Sequence, residues 1–316
     1  MAQPALAPAK FEDPDVTAAG ETRASVSLRR LDTLWFNTGT LCNIECVNCY
    51  IESSPVNDRL VYLSADEART YLEEIEKRGL GTREIGFTGG EPFLNPQFPD
   101  MLDETLQRGF EVLVLTNAMR PMMRSAVRAR LSEIGRAHRD RLTIRVSLDH
   151  YTEHLHDNER GHGAWRAAIV GMRWLAKEGF RVTVAGRSCW GQSEARARVG
   201  YGQLFADETF PIDAENPAEL VIFPEMDGRI DVPEITVDCW NILGVDPANM
   251  MCAGSRMVVK RKGAAKPAVL ACTLVPYDSQ FELGNTLADA VHDVRLNHPH
   301  CAKFCVLGGA SCSAAD

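Results

Sequence analysis

Residues 41–50, LCNIECVNCY, place Cys42, Cys46 and Cys49 within eight positions. Thiolates are soft ligands suited to zinc and iron–sulfur centres, so three on one short loop point to metal chemistry. A cubane of four irons and four sulfides that only carries electrons takes one protein ligand per iron. Three ligands on the spacing Cys-x3-Cys-x2-Cys leave one iron open, and an open position is how a metal centre acts on a bound molecule. The alternatives are a zinc knuckle and three unrelated buried thiols. Zinc sites take four Cys or His ligands, and the loop contains no His.

Further along, FTGGEP (87–92) offers two glycines, Gly89 and Gly90, that let backbone approach a ligand closely. Glu91, held before Pro92, sets a carboxylate beside them. Asn117, Ser147, Asp149 and Arg160 are polar residues that fall where strands are expected to end or a helix to begin; each can also serve as a cap or turn residue. A second cysteine group, Cys239, Cys252, Cys272, Cys301, Cys305 and Cys312, follows residue 238, and Cys189 stands alone.

The elements that position these residues follow from hydrophobic periodicity. LDTLWFN (31–37) suits a buried strand, and the cysteine loop leaves its carboxyl end. Ser64 with Glu67 forms a capping box for a helix that runs to Gly79. Strands are expected at 84–87, 111–117, 142–149, 181–187 and 219–225, with helices at 99–108, 121–134, 163–179 and 193–206 between them. Alternating units of this length imply an α/β fold, a partial (β/α)6 barrel or open sheet of parallel strands. The chemistry should then sit at the carboxyl ends of the strands. From residue 238 the rhythm stops: a hairpin turning at Gly263, a helix over 286–296 and a cysteine-rich end read as a small second module. The expected division is a disordered tail over 1–28, the barrel over 29–237 and the module over 238–316.

Composition narrows the class. Of 316 residues, 45% are hydrophobic and 24% charged, as in a globular protein. No apolar run approaches the roughly 18 to 20 residues that span a bilayer, and the N-terminus lacks the basic and apolar order of a secretory signal. A cytoplasmic setting without a membrane is therefore expected, where clustered thiols read as metal or catalytic groups more readily than as disulfides. The net charge of −9 disfavours nucleic acid as a partner. The locally basic stretch 120–145 reads as a solvated helix face.

The loop Cys42-x3-Cys46-x2-Cys49, followed by Tyr50, resembles the signature of the radical S-adenosylmethionine (SAM) superfamily. That resemblance implies a [4Fe-4S] cluster whose open iron chelates the amino and carboxylate groups of SAM. It implies that Gly89, Gly90, Glu91 and Pro92 bind the SAM amino group, that Asn117, Ser147 and Asp149 lie near its ribose and methionine, and that Arg160 neutralises a carboxylate. It further implies reductive cleavage of SAM and hydrogen-atom abstraction from a substrate. A small molecule or a peptide would be that substrate, and an external low-potential donor such as flavodoxin or ferredoxin would supply the electron. The C-terminal cysteines are similar to the SPASM or twitch extensions of such enzymes, which carry auxiliary iron–sulfur clusters. The glycine and tail spacings depart from the SPASM pattern, and one auxiliary cluster is expected, on Cys252, Cys272, Cys301 or Cys305, and Cys312. A zinc site using His298 or His300 is the alternative there, and a non-catalytic iron–sulfur carrier is the alternative for the whole chain.

Overall fold

Alternating strands and helices must bury two faces of a parallel sheet at once, and the sequence supplies apolar residues for both. The computed structural model describes residues 5–7, 9–224 and 227–308. After a short strand β1 (Ser25–Val26), the chain runs β2 (Thr33–Asn37), α1 (Ala65–Arg78), β3 (Glu84–Thr88), α2 (Phe98–Gln107) and β4 (Glu111–Thr116). It continues through α3 (Arg120–Met123), α4 (Ser125–His138), β5 (Leu142–Ser147), α5 (Glu153–Arg160), α6 (Ala164–Glu178), β6 (Arg181–Arg187), α7 (Glu194–Glu208) and β7 (Leu220–Phe223). The C-terminal part adds β8 (Ser255–Val259), β9 (Ala268–Leu270), β10 (Glu282–Gly284) and β11 (Val294–Arg295).

The main sheet has the order β10-β9-β8-β2-β3-β4-β5-β6-β7. Strands β2 to β7 pair successively in parallel, as the βα rhythm requires. All five residues of β2 are buried. Leu34 and Phe36 enter the core beneath the helices, where Phe36 stacks on Phe87 at 5.6 Å. Trp35 points to the opposite face and packs with Met257, Leu270 and Phe304. Helix α1 opens with the capping box expected at Ser64 and Glu67, a device worth about 1 kcal/mol. It closes on Gly79, whose φ of 61° is the left-handed conformation that favours glycine.

Four expectations are corrected. The hairpin of β8 and β9 forms as expected, but β8 also pairs in parallel with β2, aligning Arg256 with Leu34, so the C-terminal region extends the main sheet. The stretch 286–296 is not a helix: Ala290 leaves helical geometry, Asp289 caps Thr286 and Asn285, and β11 pairs with β1. The described part of the expected tail is ordered by that pairing, with Ala24 and Val26 buried against Val294 and Leu296. The helix expected over 121–134 breaks at Arg124, whose extended backbone lets its guanidinium reach the carbonyls of Pro121 and Phe93. Helix α5 was not foreseen, and it matters for the site.

Candidate functional site

The carboxyl ends of the parallel strands converge on one cavity of about 170 Å³. The loop after β2 brings Cys42, Cys46 and Cys49 to it; β3 delivers Gly89 and Gly90, β4 delivers Asn117, and β5 delivers Ser147 and Asp149. Arg160, the last residue of α5, completes the wall. All three thiols are free, Cys42 buried and the others half-buried.

The glycines are needed for close approach. A Cβ on Gly90 would lie 2.2 Å from the carbonyl oxygen of Leu41, and one on Gly89 would lie 2.6 Å from that of Gly39. The backbone N–H of Gly90 donates to Gly39 O at 2.7 Å and that of Glu91 to Leu41 O at 3.1 Å, so the turn after β3 is laced to the start of the cysteine loop.

Glu91 and Pro92 do not line the cavity. The Glu91 carboxylate is buried and accepts from Thr116 Oγ1 at 2.8 and 3.0 Å, from Asn117 N at 2.9 Å and from Phe93 N at 3.2 Å. It ties the end of β3 to the end of β4. Burial pushes its pKa up to about 7, against the lowering pull of those donors and of Arg160. Pro92 opens the short 3₁₀ turn Pro92–Leu94, a position where its missing N–H costs nothing. Asn117 Nδ2 in turn donates to Asn43 Oδ1 at 3.0 Å and lies 3.8 Å from Cys42 Sγ.

Asp149 and Arg160 form a bidentate pair with both arms at 2.8 Å. Burial raises the Asp149 pKa, but Arg160 more than offsets it and holds the carboxyl below its ordinary range. Burial pushes Cys42 up to about 12 and Cys46 up to about 11, with Arg160 pulling each down. Thiols held protonated this firmly give up their protons to a metal, which favours the thiolate directly.

Sequence reasoning missed Glu159, Arg187 and Ser53. Glu159 accepts from Asn48 Nδ2 with both oxygens, at 3.0 and 2.9 Å, pairs with Arg187 at 3.2 Å, and its carbonyl takes the Val47 N–H. The end of α5 thereby clamps the cysteine loop. Its only sequence signal is adjacency to Arg160. Ser53 Oγ and Arg187 Nη2 are buried without a partner among the described residues, and both residues line the cavity.

A profile of the Radical SAM superfamily matches residues 36–188. The chain carries a radical SAM domain. It is 30% identical over 280 residues to the subtilosin biosynthesis protein AlbA of Bacillus subtilis, covering 83% of this chain and 59% of AlbA. It is 32% identical over 139 residues to the mycofactocin maturase MftC of Mycobacterium ulcerans, covering 44% of this chain and 35% of MftC. The chain thus spans less than two thirds of the length of each of these relatives. Among solved folds, Streptococcus suis SuiB bound to its precursor peptide SuiA superposes with a TM-score of 0.61 at 12% identity, over 84% of this chain and 66% of SuiB. The anSMEcpe enzyme with bound AdoMet superposes at 0.57 and 14% identity, over 82% of this chain and 80% of anSMEcpe.

The residues present in the radical SAM domain fit the superfamily's cofactors. Three free thiols share one cavity with two unpartnered polar atoms, a guanidinium and close-packed glycine backbone. Among the described residues no three donor side chains gather tightly enough for a single metal ion. A cubane does not ask for that, because each thiolate takes a separate iron corner.

The second cysteine group converges in part. Cys252, Cys272, Cys301 and Cys305 all line one small cavity of about 20 Å³, with His300 and apolar neighbours such as Val275 and Leu296. Cys301 and Cys305 share a face of the wide final turn Cys301–Val306. Cys312 lies outside the described residues. Cys189 and Cys239 line neither cavity, and the Cys239 sulfur accepts instead from Thr236 N at 3.3 Å. Burial holds His298 neutral, with a pKa near 4. Leu274 lines both thiol cavities and forms the partition between them. No helix among the described residues is long and apolar enough to cross a membrane.

Proposed function

We propose that the chain is a radical SAM enzyme that modifies a peptide. The observation that carries this reading is the meeting of Cys42, Cys46 and Cys49 with Gly90, Asn117, Ser147 and the Asp149–Arg160 pair around one cavity at the strand ends. A [4Fe-4S] cluster held there would supply the electron for reductive cleavage of SAM, and so the means of taking a hydrogen atom from the substrate. Cys42, Cys46 and Cys49 would hold the three occupied corners. The Gly89–Gly90 backbone would face the amino group, Arg160 the carboxylate, and Asn117 and Ser147 the remaining polar edge. Glu91 keeps that arrangement rigid by bracing β3 against β4, and Phe223, Leu274 and Phe304 form the apolar wall that excludes water.

A peptide suits the approach to this cavity. Past Asn48, Cys49, Tyr50 and Leu274 the cavity continues into a groove of about 600 Å³ between the cysteine loop and the C-terminal region. The groove carries Arg229 and Asp278 beside Tyr277 and Val275, a mixture of charge and apolar surface suited to an extended chain. The names of AlbA and MftC as biosynthesis and maturation proteins, and the SuiA-bound state of SuiB, support the same substrate class. An external donor such as flavodoxin or ferredoxin would supply the electron. Cys252, Cys272, Cys301 and Cys305 would hold an auxiliary iron–sulfur cluster in a SPASM-like or twitch-like extension, one thiolate to each iron.

The test is anaerobic reconstitution followed by reduction with dithionite in the presence of SAM. Release of 5′-deoxyadenosine and methionine is expected, and Cys46→Ala should abolish it while leaving the protein folded. Full cleavage by Cys46→Ala would overturn the assignment of the loop. A short peptide encoded beside the gene should change mass in the complete reaction; a small-molecule substrate processed in its place would overturn the peptide reading.

A further inference from the structure

Arg256 is fully buried on β8, four residues after Cys252. Its Nη1 donates to Cys252 O at 2.6 Å and to Ser255 O at 2.7 Å, its Nε to Ala290 O at 2.8 Å, and its Nη2 reaches His292 O at 3.4 Å. The hydrogen bonds are satisfied, but the charge is not. No carboxylate among the described residues pairs with it, and its Nη1 sits on the backbone of Cys252, a residue that lines one cavity with Cys272, Cys301 and Cys305. A guanidinium keeps its proton in proteins, and an isolated buried charge is strongly unfavourable without a counter-charge. Carbonyl dipoles supply part of that compensation, and a net negative charge beside it would supply the rest.

We infer that Arg256 is the internal counter-cation of an anionic thiolate-bound cluster at the Cys252, Cys272, Cys301 and Cys305 cavity. This rests on the auxiliary-cluster reading and deepens it: the charge is built into the strand that joins the C-terminal region to the main sheet. A fixed cation beside an iron–sulfur cluster favours its more negative, reduced form, because cluster potential follows local charge. Arg256 is therefore a positioning and tuning residue, placed to raise the potential of the auxiliary cluster, and it does not line the cavity of Cys42, Cys46 and Cys49. Lining the Leu274 partition, that auxiliary cluster would be poised to accept an electron from the substrate side.

The experiment compares wild type, Arg256→Gln and Arg256→Lys, each reconstituted anaerobically and titrated with dithionite under electron paramagnetic resonance. Gln keeps an amide donor for the carbonyls without the charge, and Lys keeps the charge without the fork. Arg256→Gln should lower the reduced fraction of the auxiliary cluster at least tenfold at fixed poise, a shift of about 59 mV for one electron. Arg256→Lys should stay within that range of wild type, and the first cluster should not move in either. Loss of the auxiliary iron in Arg256→Gln with retention in Arg256→Lys would also support the inference. Equal potentials in all three proteins would overturn it, as would equal failure of both variants to fold, since hydrogen bonding would then be the whole role. Only about four irons per wild-type chain would instead sink the auxiliary-cluster reading itself.

Discussion

The Asp149 carboxylate and the Arg160 guanidinium meet in a two-armed pair across the thiol cavity, with side-chain exposures of 4% and 13%. Asp149 follows β5 and Arg160 ends α5, so the pair fixes the helix that clamps the cysteine loop to the sheet. Removing one partner of a buried pair strands the other charge, which costs about 3–5 kcal/mol. Asp149→Ala should therefore lower the unfolding free energy by about that amount, and Arg160→Gln should reduce iron bound by the first loop. The Asp149 pKa is lowered from 3.8, so its contribution is present above that value and is lost as pH falls through the lower folded value. Denaturant titrations between pH 2 and pH 6 should show wild type losing stability in that acid range and Asp149→Asn losing less.

Glu91 should give the opposite slope. Its ordinary pKa of 4.5 rises to about 7 on burial, so the folded state holds a proton that the unfolded state has released. Stability contributed by this group therefore falls as pH rises from about 4.5 to about 7. Buried His150 and His156, whose pKa values fall to about 4, titrate in the same range with the reverse sign. The informative quantity is thus the difference between wild type and Glu91→Gln, measured on reduced, iron-free protein. Identical slopes in the two proteins would show that Glu91 is ionised throughout.

Gly90→Ala places a methyl group 2.2 Å from Leu41 O and 2.7 Å from Thr40 O, both backbone atoms that cannot swing aside. The cysteine loop must shift, and iron loading at Cys42, Cys46 and Cys49 should fall to less than half. Gly202→Ala, on α7 with its nearest neighbour at 3.6 Å, is the control. It should leave iron content unchanged and stabilise the helix by roughly 0.5–1 kcal/mol.

The contrast between local and distant signals explains what the sequence made legible. Ser64 and Glu67 are three residues apart, and their mutual capping was readable because both partners lie inside one turn. The alternation of apolar strands with helices, and the thiol loop at a strand end, are local in the same way. The pairing of β8 with β2 joins residues more than two hundred positions apart, and β1 with β11 more than that, so no periodicity announces either. The stretch 286–296 has helical spacing of apolar residues, but Asp289 spends its carboxylate on Thr286 and Asn285, and Val294 is claimed by β1. The motif around Glu91 marks it as a ligand-facing group. Its role as a brace depends on Thr116 and Asn117, which only the fold brings near. Glu159 was missed because its partners come from distant parts of the chain, Asn48 from the loop after β2 and Arg187 from the end of β6.

The N-terminal strap, residues 11–24, is joined to the segment that follows β7 by a buried pair, and this makes a final prediction. Arg23 is wholly buried against Glu234, whose other contacts are the backbone N–H groups of Phe11 at 2.9 Å and Ala18 at 2.7 Å. Glu234→Ala removes the acceptor for both amides and leaves Arg23 without its anion, at a cost of about 3–5 kcal/mol. Residues 11–24 should then become the first site of limited proteolysis. The strap continues into β1, which pairs with β11, and Val294 of β11 lines the cavity of Cys252 and Cys301. Loosening the strap should therefore release iron from the second cysteine group before the first. Iron counting on Glu234→Ala should fall from about eight toward about four per chain while SAM cleavage persists. Simultaneous loss of both would mean that the strap supports the whole sheet and not the C-terminal region alone.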